Sequence, residues 1–156
     1  MSFEKAKEYL ISKNFEDRII AFEGVSSTVE QASQIIGCTK GEIAKSLSFM
    51  VGEQPIIVVV AGDSKISNSK YKQEFGVKAK MIAFDDVENI IGHAVGGVCP
   101  FGVKENIKIY LDETLKKYKI VYPACGDNHS AVKLAPEEFK TLVKVEKWVD
   151  VCVLPE

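Results

Sequence analysis

The sequence predicts a mixed α/β domain with six to eight strands among four to five helices. Three observations lead there. The chain has 156 residues, 46% of them hydrophobic and 27% charged, which suits one domain with a substantial core. Pro55–Ala61 is an unbroken Val/Ile-rich run of strand length, fit for burial on both faces. Segments with apolar residues at helical spacing, bounded by capping residues and glycines, alternate with short β-branched stretches. No repeat, linker or low-complexity segment divides the chain, so a single domain over 1–156 is expected.

The elements follow in order. Phe3, Ala6, Lys7 and Leu10 share one helical face, giving a first helix over 2–13, and 18–23 reads as a strand. Ser27 with Glu30 is a capping-box pattern opening a helix with Val29, Ala32, Ile35 and Ile36 inward, stopped by Gly37. Thr39 with Glu42 repeats the pattern, so a short helix is expected from Lys40 to about Lys45, then a strand over 47–51. Gly52-Glu53-Gln54 turns into the 55–61 strand. Ser67 caps a helix through Phe75, ended by Gly76, and 77–83 is a short strand. Residues 85–91 form a short helix with acids in its first turn. Strands are expected at 107–111, 119–122 and 130–134. Pro136 starts a last helix carrying Phe139, Leu142 and Val143, and the alternating tail 145–151 suits an edge strand.

Composition narrows the function. Twenty Lys and Arg against 22 Asp and Glu give a net charge of −2, which excludes a general nucleic-acid coater but not a protein gripping one end of a nucleic acid. No apolar run approaches the length of a membrane span, and the N-terminus lacks the pattern of a signal peptide, so a cytoplasmic location with no membrane contact is expected. The cysteines, Cys38, Cys99, Cys125 and Cys152, include no C-x-x-C pair and read as free thiols rather than a zinc site.

Four features can carry chemistry. Gly96-Gly97-Val98-Cys99-Pro100-Phe101-Gly102 fixes an unusual backbone, either a tight turn or a loop aiming N–H groups at an oxyanion. Lys45 precedes a buried strand; it either complements a helix C-terminus or sits at the mouth of a pocket and binds a phosphate or carbonyl oxygen. Lys65, Lys70, Lys72, Lys78 and Lys80 are opposed between residues 64 and 80 only by Glu74, as a solvated face or a phosphate-tracking patch. Asn128 and His129 lie in a turn, where His129 could donate to a substrate hydroxyl. No G-x-S-x-G, P-loop or dinucleotide pattern occurs, and a Cys99 pair with His93 or His129 is the one nucleophile arrangement left open.

Three segments, in this order, resemble the YbaK/ProXp group, the free-standing relatives of the prolyl-tRNA synthetase editing domain (YbaK/EbsC-like). They are Ile43-Ala44-Lys45-Ser46-Leu47, the GxxxP loop Gly96–Pro100 with its Phe101-Gly102 extension, and Leu134-Ala135-Pro136-Glu137-Glu138-Phe139. The resemblance implies a curved, largely antiparallel six- to eight-stranded sheet packed by helices. It implies an aminoacyl-tRNA deacylase that hydrolyses the ester of mischarged tRNA carrying a small non-cognate amino acid, with tRNA(Pro) as the tRNA. Lys45, Gly96 and Gly97 take the catalytic positions, and Ser46, Val98, Cys99, Pro100, Phe101, Asn128 and His129 are assigned to the substrate. Lys65, Lys70 and Lys72 are assigned to the tRNA backbone, and Phe22, Phe49 and Phe101 are candidate pocket walls. Neither cofactor nor metal is implied; the partners are the aminoacyl-tRNA 3′ end and an aminoacyl-tRNA synthetase. Two other readings stay open: a non-catalytic module of the same fold that binds a tRNA end or a synthetase, and a hydrolase using Cys99.

Overall fold

Strand β3 (Gln54–Ala61) is the spine of the structure, a computed structural model that describes residues 2–26 and 28–154. Its side chains alternate between two cores. Ile57 and Val59 enter one; Ile56, Val58 and Val60 enter the other. Each fully buried aliphatic side chain contributes roughly 1.5–3 kcal/mol, so this strand anchors both layers. A turn at Gly52 links it to β2 (Ile43–Val51), and the two pair antiparallel from Ala44↔Ala61 to Val51↔Gln54.

The rest of the central sheet is parallel. β5 (Lys108–Asp112) lies on the free edge of β3, and β8 (Val145–Val149) lies beyond β5. The two-residue β6 (Tyr122–Pro123) pairs with the start of β2, completing the order β6-β2-β3-β5-β8. Two small antiparallel sheets flank it: β1 (Ile19–Ala21) with β7 (Ser130–Val132), and β4 (Lys65–Ile66) with β9 (Cys152–Val153). The mixed α/β class holds. The expected single, largely antiparallel sheet of six to eight strands is corrected to a mixed five-stranded sheet with two satellites. The reason is connection length: only β2 and β3 are joined by a tight turn, whereas helices and loops separate β3, β5 and β8 and return the chain in the same direction.

Helices cover both faces. α1 (Ser2–Ser12) buries Ala6 and Leu10, as their spacing predicts, and packs on the first core with α4 (Val87–Ile91) and α5 (Phe139–Leu142). α3 (Asn68–Phe75), capped by Ser67 and ended by Gly76, buries Tyr71 against Phe49 in the second core, with ring centroids 5.0 Å apart. α2 (Val29–Ile36) is capped by Thr28, whose Oγ1 accepts from Gln31 N–H; the expected Ser27 cap lies outside the described residues. Ile35 points outward, 39% exposed, rather than into the core.

Two local departures shape the site. The helix expected from Lys40 to about Lys45 is one 3-10 turn, Lys40–Glu42, held by the Thr39–Glu42 capping box, and β2 begins at once. Pairing with β3 outweighs the weak helical preference of so short a segment. The 77–83 strand reduces to a single bridge, Phe49↔Met81, flanked by bonds from Met50 N–H to Lys80 O and from Ile82 N–H to Ser48 O. Between Ala44, where β6 stops, and Ser48, where this bridge begins, no strand pairs with that edge of β2 among the described residues.

His93 is fully buried beside this architecture. Its Nε2–H donates to Phe101 O at 2.5 Å, and its Nδ1 has no partner among the described residues. Burial lowers its pKa below the ordinary value of 6.5, against the Phe101 bond and with help from Lys5 on α1. The unfolded chain therefore binds a proton near pH 6.5 that the folded chain refuses, and stability falls as pH drops below about 6.5. The urea midpoint should decline between pH 6.5 and 5. His93→Gln, which keeps a donor for Phe101 O without titrating, should flatten that slope; an unchanged slope would rule out His93 as its source.

Candidate active site

The unpaired stretch of β2 is the floor of a cleft of about 450 Å³. β6, β7 and the segment after β6 wall one end through Tyr122, Ser130 and Ala124; α2 walls a side through Val29, Ala32 and Ile36. Met81, Phe84 and Val95 stand at the mouth, all well exposed. Volume and mixed lining match those of small-ligand sites. Lys45, Ser46 and Ser48 line the cleft from β2, Lys45 on the Val60 face of the strand and the two serines on the Val59 and Ile57 face, and Gly96 lines it from the glycine loop.

Lys45 is a strand residue, opposite Val60, not the helix-terminal lysine that local pattern suggested. Its ammonium is half-buried and donates to Ser64 O at 2.6 Å. Desolvation pulls its pKa below the usual lysine value, while Cys152 and Asp63 act the other way and Lys65 adds to the lowering. The Ser64 carbonyl is itself fixed, because Ser64 Oγ donates to Ala61 O at 2.6 Å. A lysine ammonium carries three donors, so two remain after Ser64 is satisfied. On the opposite face of the strand, Ser46 Oγ is buried with no hydrogen-bond partner among the described residues. An unmet buried hydroxyl costs free energy that an incoming polar ligand atom recovers.

The glycine loop approaches the cleft by one side only. Gly97 N–H donates to Ala94 O at 3.0 Å and closes a four-residue turn. Gly96 holds its i+2 position at φ +94°, a conformation that favours glycine. Gly96 and Val98 line the cleft. Gly97 does not: it is buried, and a Cβ there would lie 2.3 Å from Gly126 O, so its bareness serves packing rather than approach to a ligand. Cys99 and Phe101 point into the core, where Phe101 stacks on Phe139 and Cys99 Sγ contacts Phe101 O at 3.6 Å. Pro100 lines a separate surface hollow. Cys99 Sγ also lies 3.5 Å from His93 Nε2, but both side chains are fully buried and neither lines the cleft, and burial drives the thiol pKa strongly upward, which disfavours it as a nucleophile.

Other expected residues act at one remove or not at all. Asn128 O accepts from both Ser26 N–H and Ser26 Oγ, and His129 O accepts from Phe22 N–H. The His129 ring donates through Nδ1 to Gly24 O at 3.0 Å. These bonds hold Phe22 and Ser26 against the cleft, but neither the Asn128 nor the His129 side chain lines it. Phe22 is a wall as expected, whereas Phe49 lies in the second core. Lys70 is engaged by Asp150 at 3.1 Å and by Cys152 O; Lys65 and Lys72 are exposed. Ser64 and Phe84 were missed by sequence reasoning. Nothing local marks Ser64, and Phe84 carried a signal only as an aromatic following Lys78 and Lys80. Among the described residues, no three His, Cys, Asp or Glu side chains gather to hold a metal, and no helix is long and apolar enough to cross a membrane.

The two glycines separate in a stability measurement. Gly97→Ala forces a methyl onto the Gly126 backbone and should cost in the range of about 1–3 kcal/mol. Gly96→Ala meets open space and should cost about 1 kcal/mol, from its positive φ alone. Urea denaturation of both variants checks the order; Gly96→Ala proving the more damaging would contradict it.

Known proteins share this fold and much of this sequence. The family model described as "Aminoacyl-tRNA editing domain" matches residues 23–142, which includes β2, the glycine loop and the turn before α5. The chain is 44% identical over 153 residues to YwhH of Bacillus subtilis, a protein named as uncharacterized, covering 97% of this chain and 98% of that one. It is 29% identical over 118 residues to the Enterococcus faecalis protein named "Putative Cys-tRNA(Pro)/Cys-tRNA(Cys) deacylase EbsC", covering 74% and 71% of the two chains. A crystal structure titled as a "putative trans-editing enzyme for prolyl tRNA synthetase" superposes with a TM-score of 0.86 at 25% identity, over 96% of each chain. With a matching fold and most of its length under the family model, this chain belongs to the aminoacyl-tRNA editing domain family.

Proposed function

We propose that the protein is a trans-editing deacylase, acting in the cytoplasm on mischarged tRNA(Pro) that carries a small non-cognate amino acid. One observation carries the reading: the open edge of β2 floors a ligand-sized cleft lined by Lys45, whose half-buried ammonium has donors to spare, and by Ser46, whose hydroxyl on the other face of the strand has no partner among the described residues. An aminoacyl ester is already activated, so positioning and charge stabilisation suffice. Water attacks the ester carbonyl carbon, the bond to the ribose oxygen breaks, and the water proton passes to that oxygen. Free amino acid and tRNA with its 3′-terminal hydroxyl leave. Lys45 is assigned to a phosphate or carbonyl oxygen of the substrate, Ser46 to a polar atom of the aminoacyl ester, and Gly96 to close backbone contact at the opposite side. Gly97 supports the loop.

No carboxylate or imidazole lines the cleft among the described residues. That favours a reaction in which the substrate's own ribose hydroxyl, or a cysteinyl thiol, assists the water. The same feature supports a second reading, a module that binds a charged tRNA end, with a synthetase as partner, and does not turn it over. Selection by size alone gives roughly 10–200-fold per methylene, which suits a sieve for small side chains.

Deacylation of tRNA(Pro) charged with alanine, cysteine, serine or threonine tests both readings. Lys45→Ala should lower kcat/KM by about 100-fold or more, the scale expected for losing a preorganised donor, with the folding transition retained. Full activity in that variant would refute the role of Lys45. Binding without ester loss on every member would replace the enzyme with the module. Cys99→Ser should keep the wild-type rate; a large loss with the fold intact would restore the thiol as a participant.

A further inference from the structure

Most exposed large apolar side chains on this protein stand apart from the cleft, but three line its mouth: Phe84, Met81 and Val95, 73%, 58% and 46% exposed. Exposed apolar groups gathered at a concave site mark a binding surface more often than scattered ones do. Phe84 is the most exposed of the chain's large hydrophobic side chains among the described residues, and its backbone is well anchored. The preceding segment is hydrogen-bonded to β2 through Ile82 N–H to Ser48 O, and Phe84 opens a 3-10 turn that leads into α4. The ring is therefore presented by fixed backbone at the rim of a cleft whose floor is polar. We infer that Phe84, with Met81 beside it, is a stacking platform for the purine of the tRNA's terminal adenosine.

The occupant follows from how the site is divided. A volume of about 450 Å³ is on the order of fifteen water-sized shares of liquid, several times what a small aminoacyl group fills. The ester belongs against the open edge of β2, the cleft floor that Lys45 and Ser46 line from opposite faces of the strand. What remains of a charged tRNA end next to the ester is a ribose and a flat base, and the exposed apolar lining at the mouth is an aromatic face with a thioether and the Val95 methyls. Any base offers a π-face to such a ring, and each base–aromatic stack is worth about 1–3 kcal/mol. Charge around the rim agrees. Lys78 and Lys80, both exposed, precede Met81 and suit the incoming phosphate backbone, whereas Asp85, Asp86 and Glu88 follow Phe84 and disfavour phosphate there. The turn itself thus offers a ring face, not an anion site.

This inference rests on the proposed substrate, and its test separates the two. Phe84→Ala should raise KM for aminoacyl-tRNA about tenfold while kcat stays within about twofold, and Phe84→Tyr should restore KM. The exposed position makes a folding defect small, within about 0.5 kcal/mol. A second readout needs no reaction: Phe84→Trp puts an indole at the rim, and adenosine 5′-monophosphate should quench it saturably while ribose 5-phosphate does not. Trp148, the sole native tryptophan, lines a different cavity with Lys116, so the wild-type protein is the blank. Deacylation with unchanged KM in Phe84→Ala, or equal quenching by ribose 5-phosphate, would overturn the platform and leave editing intact. Base-dependent quenching in a protein that hydrolyses no aminoacyl-tRNA would uphold the platform and remove editing.

Discussion

The register between β2 and β3 is the constraint on which the rest depends. Eight consecutive pairs, from Ala44↔Ala61 to Val51↔Gln54, fix which β2 side chains face which core. A strand has a period of two, so a slip of one residue would exchange Lys45 with Ser46 and Leu47 with Ser48 across the sheet. The slip is forbidden because β3 is buried on both faces, with five consecutive aliphatic residues essentially inaccessible. The core thus sets the position of a cation it does not itself contain.

The same economy appears behind Lys45. Its ammonium ends against the chain just past β3, where Ser64 is tied back to Ala61. Cys152 on β9 lies close enough to influence its charge, and that thiol is itself pushed up to about 12, chiefly by burial. Asp112, fully buried at the end of β5, holds Thr114 and accepts from Val151 N–H, which brings the C-terminal strand under the site. A surface lysine would spend conformational entropy each time it met a ligand; this one is already restrained by a backbone carbonyl.

Much of this was legible in the chain. Helical spacing placed α1, a capping serine and a glycine stop placed α3, first-turn acids and a glycine stop placed α4, and an unbroken Val/Ile-rich run placed β3, each a signal that local physics decides. Lys45 was found, but its setting differs from the expected one, since a short helical pattern from Lys40 to about Lys45 with a capping box cannot compete with eight strand pairs. The glycine loop was found as an anomaly. Which glycine serves the cleft and which serves packing depends on Gly126, far away in sequence and therefore invisible to spacing. Asn128 and His129 were chosen for side-chain chemistry, yet they fix the cleft wall chiefly through their backbone carbonyls. The parallel pairings of β5, β6 and β8 were not legible, because strand direction is set by long connections rather than by residue pattern.

The short gap along β2 has a consequence of another kind. An open strand edge is a standing invitation to other strands, and proteins usually guard it with charge, bulges or cover. Here the gap runs only between Ala44 and Ser48, bracketed by β6 on one side and by the Met81 bridge on the other. It is too short to admit a whole strand in register, and the half-buried Lys45 stands within it. The edge can therefore stay unpaired for a small ligand without becoming a seam along which copies of the chain aggregate.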